Sequence, residues 1–462
     1  MNSRTCRMLQ RSALAVAVAG IATPASASFF AIAEQNASGI GTAYAGGAAI
    51  AEDASTVWYN PAGMTRLTRP QLVFAGSYID PSFKPTLNSA STAAAFGGTP
   101  IGGGAGKDPG QAAFVPSFYY THPLTKDFSV GGGINAPYGL TTEYDSTWAG
   151  RYHAIKSDIE AINYNIAAAY KFNDMFSGGV GLNYQHFKAE LTQAVDFATI
   201  CTVAAGGAFT GACGAGAGFN PNNNPNDGNA KVTADGNAWG YNLGVLAQVT
   251  NDLRVGAAYR SKMTQKLSGD FNISTPGTVP GALLAGTGLV NSGAKADVVL
   301  PASMSISAYQ QLGPKWAVMA DVTRTNWSSI PELRIQFDSN QADSVVTLNL
   351  KNSYRYSVGG SYKPNDAWVL RAGIALDQSP VPDSANRTPR LPDADRTWYA
   401  IGAGFQASPT LNFDFGYVYI KVDNAQVNKT ATATNENAFR GNLSVDYTGS
   451  IQILSAQARW MF

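Results

Sequence analysis

The stretch Asp158–Phe172, DIEAINYNIAAAYKF, shows the clearest period-2 alternation in the chain. Even positions from 162 to 172 are apolar, whereas the odd positions include Asn163, Asn165 and Lys171. Successive side chains of a β-strand point to opposite faces, so the pattern predicts a strand with one apolar and one polar face. A soluble β-sandwich could contain one such strand. Its repetition, with Tyr and Phe near the strand ends, is typical of a transmembrane β-barrel.

Fourteen segments carry such strand patterns, and together they predict an all-β fold, a 14-stranded antiparallel transmembrane barrel that occupies residues 68–462. Short links, such as Asn173–Met175 and Gly313–Lys315, alternate with long ones, as periplasmic turns and outer loops do. The predicted strands are Gln71–Tyr78, Phe114–His122, Phe128–Ala136, Asp158–Phe172, Phe176–Val195, Lys231–Val249, Leu253–Phe271, Ala294–Leu312, Trp316–Phe337, Ser344–Tyr362, Trp368–Asp377, Arg396–Gln406, Leu411–Val422 and Leu443–Phe462.

The last predicted strand changes phase along its length. Apolar residues occupy odd positions from Leu443 to Ile453 and even positions from Leu454 to Phe462. We expect a β-bulge near Ile453–Leu454, which would keep both sets facing lipid. The apolar alternation that ends in Phe462 resembles the terminal signal of bacterial outer-membrane barrels.

Residues 1–27 have the layout of a secretory signal peptide. Arg4, Arg7 and Arg11 precede the apolar run Ala13–Ile21, and Ala25-Ser26-Ala27 supplies a small-residue cleavage site. The apolar run is shorter than the roughly 20 residues that a membrane-spanning helix needs. An exported membrane protein without such helices must form a closed barrel, which indicates a bacterial outer membrane.

Composition supports a β protein with one face in lipid and excludes nucleic-acid binding. Charged residues make up 14% of the 462 residues and aromatic residues 11%. Removal of the signal would leave 29 basic and 31 acidic residues, a net charge of −2. Nothing in this charge balance favours a polyanionic partner.

Few residues are candidates for catalysis or metal binding. His122, His153 and His186 have no partners at metal-ligand or catalytic-triad spacing, and we expect no enzymatic activity, metal or cofactor. Cys201 and Cys213 lie in one Gly/Ala-rich stretch, where an exported protein favours a disulfide over two free thiols.

Between the signal and the strands lies Ser38–Met64, SGIGTAYAGGAAIAEDASTVWYNPAGM, which is rich in Gly and Ala and poor in charge. Its position and composition predict an N-terminal hatch that plugs the barrel lumen, over residues 28–67. Such a segment is suited to small rearrangements.

The sequence resembles the FadL/TodX family of outer-membrane transporters for long-chain fatty acids and other hydrophobic compounds. The resemblance runs from Ser28 to Phe462 and rests on the hatch segment, on PYGLTTEY (Pro137–Tyr144) and on DQSPVP…RTPRLPDADRTW (Asp377–Trp398). It implies a 14-stranded barrel closed by a hatch. The hatch motif would be Asn60, Pro61 and Ala62, and Phe30 would reach into a ligand pocket in the lumen.

The resemblance also implies a kinked third strand that opens sideways from the lumen into the membrane. Here that strand contains Gly131, Gly132 and Gly133 and runs into Pro137 and Gly139. Glycine weakens a strand and Pro137 cannot donate to the ladder, so the lateral opening is expected at these residues.

The luminal pocket implied by the resemblance departs from the family pattern. The basic positions that face a carboxylate in the family fall at Gln193 and Val346, and neither is charged. Lys188, Arg334 or Lys351 could substitute, with Ala189 and Leu191 nearby. Alternatively, the ligand carries no charge, as an aromatic hydrocarbon would. The outer capture groove would consist of Phe197, Phe209, Phe219, Leu283, Leu284 and Leu289.

The expected function is therefore uptake of long-chain fatty acids or related hydrophobic compounds by diffusion. The expected partners are the ligand and the lipopolysaccharide and lipid of the outer membrane, with the protein a monomer. A general porin and a surface adhesin or phage receptor are alternatives. Asp393 and Asp395 could bind Ca²⁺, but a solvated loop with an ion pair to Arg396 is favoured.

Overall fold

The structure, a computed structural model, describes residues 29–204, 227–275 and 288–462. These residues form 18 strand segments of one sheet. The segments are β1 (Gln71–Ser91), β2 (Ala113–Pro123), β3 (Phe128–Glu143), β4 (Lys156–Lys171), β5 (Phe176–Asp196), β6 (Asp227–Gln248), β7 (Leu253–Arg260), β8 (Met263–Ser274), β9 (Ser292–Leu300), β10 (Ser303–Leu312), β11 (Trp316–Thr325), β12 (Glu332–Phe337), β13 (Ser344–Thr347), β14 (Ser353–Tyr362), β15 (Trp368–Asp377), β16 (Arg396–Ser408), β17 (Leu411–Lys429) and β18 (Asn442–Met461).

The sheet closes on itself, because β1 pairs with β2 on one side and with β18 on the other. Every pairing is antiparallel. Four transmembrane strands are each interrupted once, as β7/β8, β9/β10, β11/β12 and β13/β14. Counted as single strands, these leave a 14-stranded barrel, which confirms the predicted fold class.

The outer face carries the predicted apolar stripe. On β4, Ile166 is 66% exposed, whereas Asn163 on the opposite face is buried. Aromatic pairs mark two bands on this face, such as Trp316–Tyr362 near the short turns and Tyr184–Trp239 farther along the strands. Tyr and Trp are enriched at the two membrane interfaces, so these bands bracket the lipid-facing zone.

The bulge predicted in the last strand is wrong. β18 pairs with β1 without interruption from Met461 to Val445, past Ile453 and Leu454. The odd-numbered residues, including Val445 and Ile453, are buried against the lumen, whereas Leu454 is 58% exposed. The phase change therefore reflects a strand that is apolar on its inner face at one end and on its outer face at the other.

The hatch fills the lumen near the short turns. It contains two short helices, α1 (Ala37–Ile40) and α2 (Thr56–Tyr59), and a 3₁₀ helix over Pro61–Arg66. Elsewhere, α3 (Phe197–Ala204) follows β5. Within the described ranges, no helix is long and apolar enough to cross a membrane.

Glycines of the barrel wall form the seat of the hatch. A Cβ atom added at Gly373 would overlap the backbone of Thr42, and one at Gly416 would overlap Ile40. On β3, a Cβ at Gly131 would approach Met64 Sδ to 2.7 Å. Only residues without a side chain permit this close approach between hatch and wall.

The structure shows no gap at the triple glycine, where the resemblance implies a lateral opening. Gly131, Gly132 and Gly133 pair in regular register with β2 and with β4. The irregularity of β3 lies farther along, between Asn135 and Tyr138.

Candidate functional site

An apolar pocket of about 400 Å³ lies in the lumen above the hatch. Its walls include Ile159, Phe187, Ala234 and Leu267 of the barrel. The first described hatch residues, Phe29 and Phe30, form part of the lining. The pocket therefore has an apolar interior that depends on the position of the hatch.

Trp327 holds the tip of the hatch. It lies in the 3₁₀ turn that interrupts the strand between β11 and β12, and it is fully buried. Its ring centroid is 5.5 Å from that of Phe29 and 5.2 Å from that of Phe30, in edge-to-face geometry. Edge-to-face aromatic pairs are stabilising beyond their buried area, so the tip is specifically packed.

The predicted pocket residues divide into two groups. Ala189, Leu191 and Val346 line the pocket. Lys188, Gln193 and Lys351 do not line it, and the two lysines are exposed to solvent. Lys188 opposes Glu160 in an unbroken register between β4 and β5, so it stays on the outer face with the other even-numbered residues.

Arg390 is the buried cation of the pocket, and sequence reasoning did not single it out. Its Nη2 donates to Gln193 Oε1 at 2.9 Å, and its Nη1 donates to Ser157 Oγ at 3.2 Å. Among the described residues, no carboxylate lies within ion-pair distance of it. Burial, with a smaller effect of Arg440, lowers the pKa of the Arg390 guanidinium to about 9. The pocket thus contains a buried positive charge without a fixed negative partner.

Arg334 also borders the pocket but differs from Arg390. It is exposed and forms ion pairs with Glu332 at 2.6 Å and with Asp343 at 3.0 Å. A guanidinium already paired twice at the surface is a weak candidate for holding a ligand.

A gap in the wall lies beside the hatch tip. β2 pairs with β3 only from Phe118 to Pro123, so the first residues of β2 leave one edge of β3 without a strand. A lateral cavity of about 440 Å³ fills this gap, and on β3 it is lined by Ala136, Tyr138 and Gly139. It reaches Phe114 and Ile134, which are 67% and 44% exposed on the outer face. Phe29 and Phe30 line this cavity as well as the pocket.

 The predicted opening residues Pro137 and Gly139 therefore lie at this gap.

The hatch tip is hydrogen-bonded to the free edge of β3. Ala31 forms an antiparallel bridge with Tyr138. The backbone N–H of Ile32 donates to the carbonyl oxygen of Pro137 at 2.8 Å. Movement of the tip therefore breaks backbone bonds at the border of the lateral cavity.

Asn60 fixes the other end of the hatch to the wall. Its Nδ2 donates to the carbonyl oxygens of Ala48 at 2.6 Å and of Val245 on β6 at 2.9 Å. Its Oδ1 accepts from the backbone N–H of Ala62 at 3.0 Å, and Pro61 begins the 3₁₀ helix. The three predicted motif residues are thus placed at one anchor point, where their contacts are structural.

The outer groove is described only in part. Phe197 is buried in one apolar cluster with partly buried Leu289. Cys201 is buried and disulfide-bonded. Phe209, Phe219, Leu283, Leu284 and the predicted bonding partner Cys213 lie outside the described residues.

The acidic loop that follows β15 is not solvated. Asp393 is buried and forms an ion pair with Arg396 at 2.7 Å, while Ser379 Oγ donates to its other oxygen at 2.7 Å. In the described part of the chain, no group of three or more His, Cys, Asp or Glu side chains could hold a metal ion.

The comparisons with known proteins agree with this geometry. The family model described as outer membrane protein transport protein (OMPP1/FadL/TodX) matches residues 18–462. The chain belongs to the OMPP1/FadL/TodX family. As a member of this family, it is a β-barrel protein of the bacterial outer membrane.

Several members of the OMPP1/FadL/TodX family are similar over most of their length. The 47 kDa outer membrane protein of Pasteurella multocida is 33% identical, with 88% of this chain and 90% of the relative covered. The long-chain fatty acid transport protein of Escherichia coli is 30% identical, with 93% of this chain and 95% of the relative covered.

Solved structures of the family show the same fold. A Pseudomonas aeruginosa FadL homologue superimposes with a TM-score of 0.82 at 26% identity, covering 94% of this chain and 99% of that one. The Pseudomonas putida toluene transporter TodX has a TM-score of 0.68 at 16% identity, covering 94% of this chain and 100% of that one.

Proposed function

We propose that this protein takes up long-chain fatty acids or related hydrophobic compounds across the outer membrane by diffusion. One observation carries the proposal: Phe29 and Phe30 line both the apolar pocket and the lateral cavity. Leu140, Ile159 and Leu391 also line both spaces, so the tip of the hatch and these apolar side chains together separate a ligand in the pocket from an exit toward lipid. Displacement of the tip would connect the two spaces.

Burial in such a pocket provides the driving force for capture. Each buried CH₂ group contributes about 0.8 kcal/mol, so an alkyl chain of about 16 carbons gains roughly 12 kcal/mol. The same free energy would retain the ligand unless its site changes shape or an exit to lipid exists. The hatch tip and the lateral cavity supply these two requirements.

Arg390 favours a carboxylate ligand over an uncharged aromatic hydrocarbon. A guanidinium matches the geometry of a carboxylate, and burying it without a counter-ion is costly. A fatty acid would bring its charged end to Arg390 and its chain into the apolar part of the pocket. The relative from Escherichia coli is named a long-chain fatty acid transport protein, which supports the same proposal.

The remaining features of the proposal concern organisation and partners. Residues 1–27 would be a signal peptide, residues 28–67 the hatch and residues 68–462 the barrel. The protein would act as a monomer without catalysis. Its outward-facing Lys188 and Glu160 would contact lipopolysaccharide above the aromatic band.

Growth on single carbon sources tests the function. A deletion strain complemented with the wild type should grow on a long-chain fatty acid, whereas Ala234→Trp, which fills the pocket, should not support growth. Val245→Trp on the lipid face of the same strand, where Val245 is 57% exposed, is the matched control and should grow normally. Normal growth with Ala234→Trp, or growth dependence on an aromatic hydrocarbon alone, would contradict the proposal.

A further inference from the structure

A second luminal cavity of about 160 Å³ lies behind the hatch tip. Ala31, Ile32 and Ala33 line this cavity and also the lateral cavity, so they form a partition between the two. We refer to the smaller cavity as the polar chamber, because hydroxyl groups of β10, β11 and β14 line it, from Ser303, Ser305, Thr323, Thr325 and Ser353. Its chemistry differs from that of the apolar pocket.

Arg260 is a cation of this chamber without an acidic partner. Its Nη2 donates to the carbonyl oxygen of Trp58 at 2.6 Å, and its Nη1 donates to Asn183 Oδ1 at 3.3 Å. The guanidinium carbon lies 3.2 Å from the centroid of the Trp58 ring. Among the described residues, no carboxylate lies within 4 Å of this guanidinium, although it has five N–H donors.

Arg355 adds a second cation to the same lining. Its Nη1 is buried without a hydrogen-bond partner in the part of the chain that the structure describes. Its nearest acid, Asp321, is 3.9 Å away and accepts a hydrogen bond from Thr323. Asp377 is the one acid among the described residues that line the chamber. The lining thus carries two guanidinium groups and one carboxylate.

A series of buried amides joins the chamber to the lateral cavity. Asn242, which lines the chamber, accepts from Asn183 Nδ2 at 2.9 Å, and Asn163 Nδ2 donates to Asn183 Oδ1 at 3.2 Å. Asn163 Nδ2 also donates to Asn135 Oδ1 at 3.0 Å, and Asn135 lines the lateral cavity. Asn135 Nδ2 is buried without a hydrogen-bond partner in the described residues. Unpaired buried polar atoms are costly unless water or a polar ligand satisfies them.

We propose that the polar chamber receives the carboxylate of a long-chain ligand while its alkyl chain leaves through the lateral cavity, with Arg260 pairing with the carboxylate. The chamber has room for about five water molecules at roughly 30 Å³ each, so it accommodates a hydrated carboxylate but not a long chain. The inference rests on the proposed function and adds a second position for the charged group, reached when the partition Ala31–Ala33 moves.

This second position answers a physical difficulty of lateral exit. An alkyl chain enters lipid favourably, whereas an ionised carboxylate does not. A guanidinium beside the exit holds the charged end in a polar environment until the chain is in the membrane. The head group then leaves last, by way of the buried amides.

Full-length protein in proteoliposomes tests the proposal with two probes, palmitate and the uncharged hexadecanol. Arg260→Gln should lower the rate of palmitate passage by about tenfold or more, because hydrogen bonds to charged groups are strong, and should change hexadecanol passage less than twofold. Equilibrium binding of palmitate should stay within twofold of wild type, since Arg390 lines the pocket independently. Arg260→Lys, which keeps the charge, should recover part of the rate.

Arg254 provides the matched control. It lies on the same strand, donates to the hatch carbonyl oxygens of Ala49 at 3.1 Å and Ile50 at 3.0 Å, and does not line the chamber. Arg254→Gln should therefore affect both probes equally, through the hatch. Equal loss of both probes in Arg260→Gln, or no loss of either, would overturn the chamber proposal. Unchanged passage of both probes with Ala234→Trp would instead overturn the proposed function.

Discussion

The backbone N–H of Gly139 donates a hydrogen bond to the carbonyl oxygen of Phe30 at 3.1 Å. This bond joins the tip of the hatch to the strand that borders the lateral cavity. The edge of β3 is available because β2 does not pair with it beyond Ile134. The aromatic contact that closes the pocket and the backbone contact that borders the exit thus belong to one short segment.

Locking this segment should block uptake. Ala31 and Tyr138 form a non-hydrogen-bonded antiparallel pair, in which Cβ atoms are close enough for a disulfide. We expect Ala31→Cys/Tyr138→Cys to lose fatty-acid uptake under oxidising conditions and to regain it on mild reduction. Each single variant is the control. Full uptake by the oxidised double variant would show that uptake does not require movement of the tip.

The glycine seats predict a conductance effect with a close control. Gly373→Ala places a methyl group against the backbone of Thr42 and should displace the hatch, whereas Gly360→Ala on the adjacent strand meets no atom closer than 3.4 Å. Overpacking costs about 1–3 kcal/mol, which raises the population of displaced hatch roughly 5- to 150-fold. Bilayer recordings should show increased steady current for Gly373→Ala only. Equal currents for the two variants would contradict the claim that Gly373 is needed to seat the hatch.

Removal of the pocket cation should weaken binding of charged ligands. Arg390→Gln should reduce the affinity for palmitate roughly tenfold or more, because a charge-assisted hydrogen bond is lost. Arg334→Gln, which alters an exposed and already paired guanidinium, should change the affinity less than twofold. Fluorescence titration measures both values, and a methyl ester probe should be insensitive to either change. A change of twofold or less in the affinity of Arg390→Gln for palmitate would show that the carboxylate does not bind at Arg390.

His153 predicts a pH dependence of the loop that precedes β4. Burial, with smaller effects of Arg440 and Lys429, lowers the pKa of His153 to about 3, below its ordinary value of 6.5. The folded state disfavours the proton, so the free energy of unfolding is not reduced by His153 above pH 6.5. As pH falls from 6.5 toward 3, it decreases by about 1.4 kcal/mol per pH unit.

Limited proteolysis of the loop across this pH range measures the effect. Wild type should become more susceptible as pH falls, whereas His153→Gln should show a flatter profile. The two profiles would coincide if His153 did not control the loop. His153 Nε2 donates to the carbonyl oxygen of Gly441 at 3.1 Å, a bond that favours the protonated ring, so the expected loss of stability comes from burying the charge beside Arg440 and Lys429.

The sequence was most informative where side chains face lipid. The alternation around Ile166 placed β4 correctly, because lipid requires apolar residues at every second position. The inner face follows a different rule, since it packs against a hatch that is distant in sequence. Val445 and Ile453 therefore appeared to belong to a bulged outer face.

The functional residues were harder to predict because tertiary pairing decides their positions. Pro137 marks the gap, but Gly131 in the triple glycine before it contacts the hatch, and only the register of β2 with β3 distinguishes the two regions. Arg390 was within a recognised motif, yet its approach to the pocket depends on a loop that folds inward. Trp327 lies in the middle of the predicted strand Trp316–Phe337, between Asn326 and Pro331, and this cluster of turn-forming residues is the signal that could indicate an inward turn.

The ring of wall glycines also constrains the order of assembly. The hatch touches Gly131 on β3 and Gly416 on β17, which stand on opposite sides of the seam between β1 and β18. Both seats reach their final positions only after the last strand joins the first. The N-terminal segment, although synthesised early, must therefore complete its docking at the end of biogenesis, so closure of the barrel and sealing of its pore are one event.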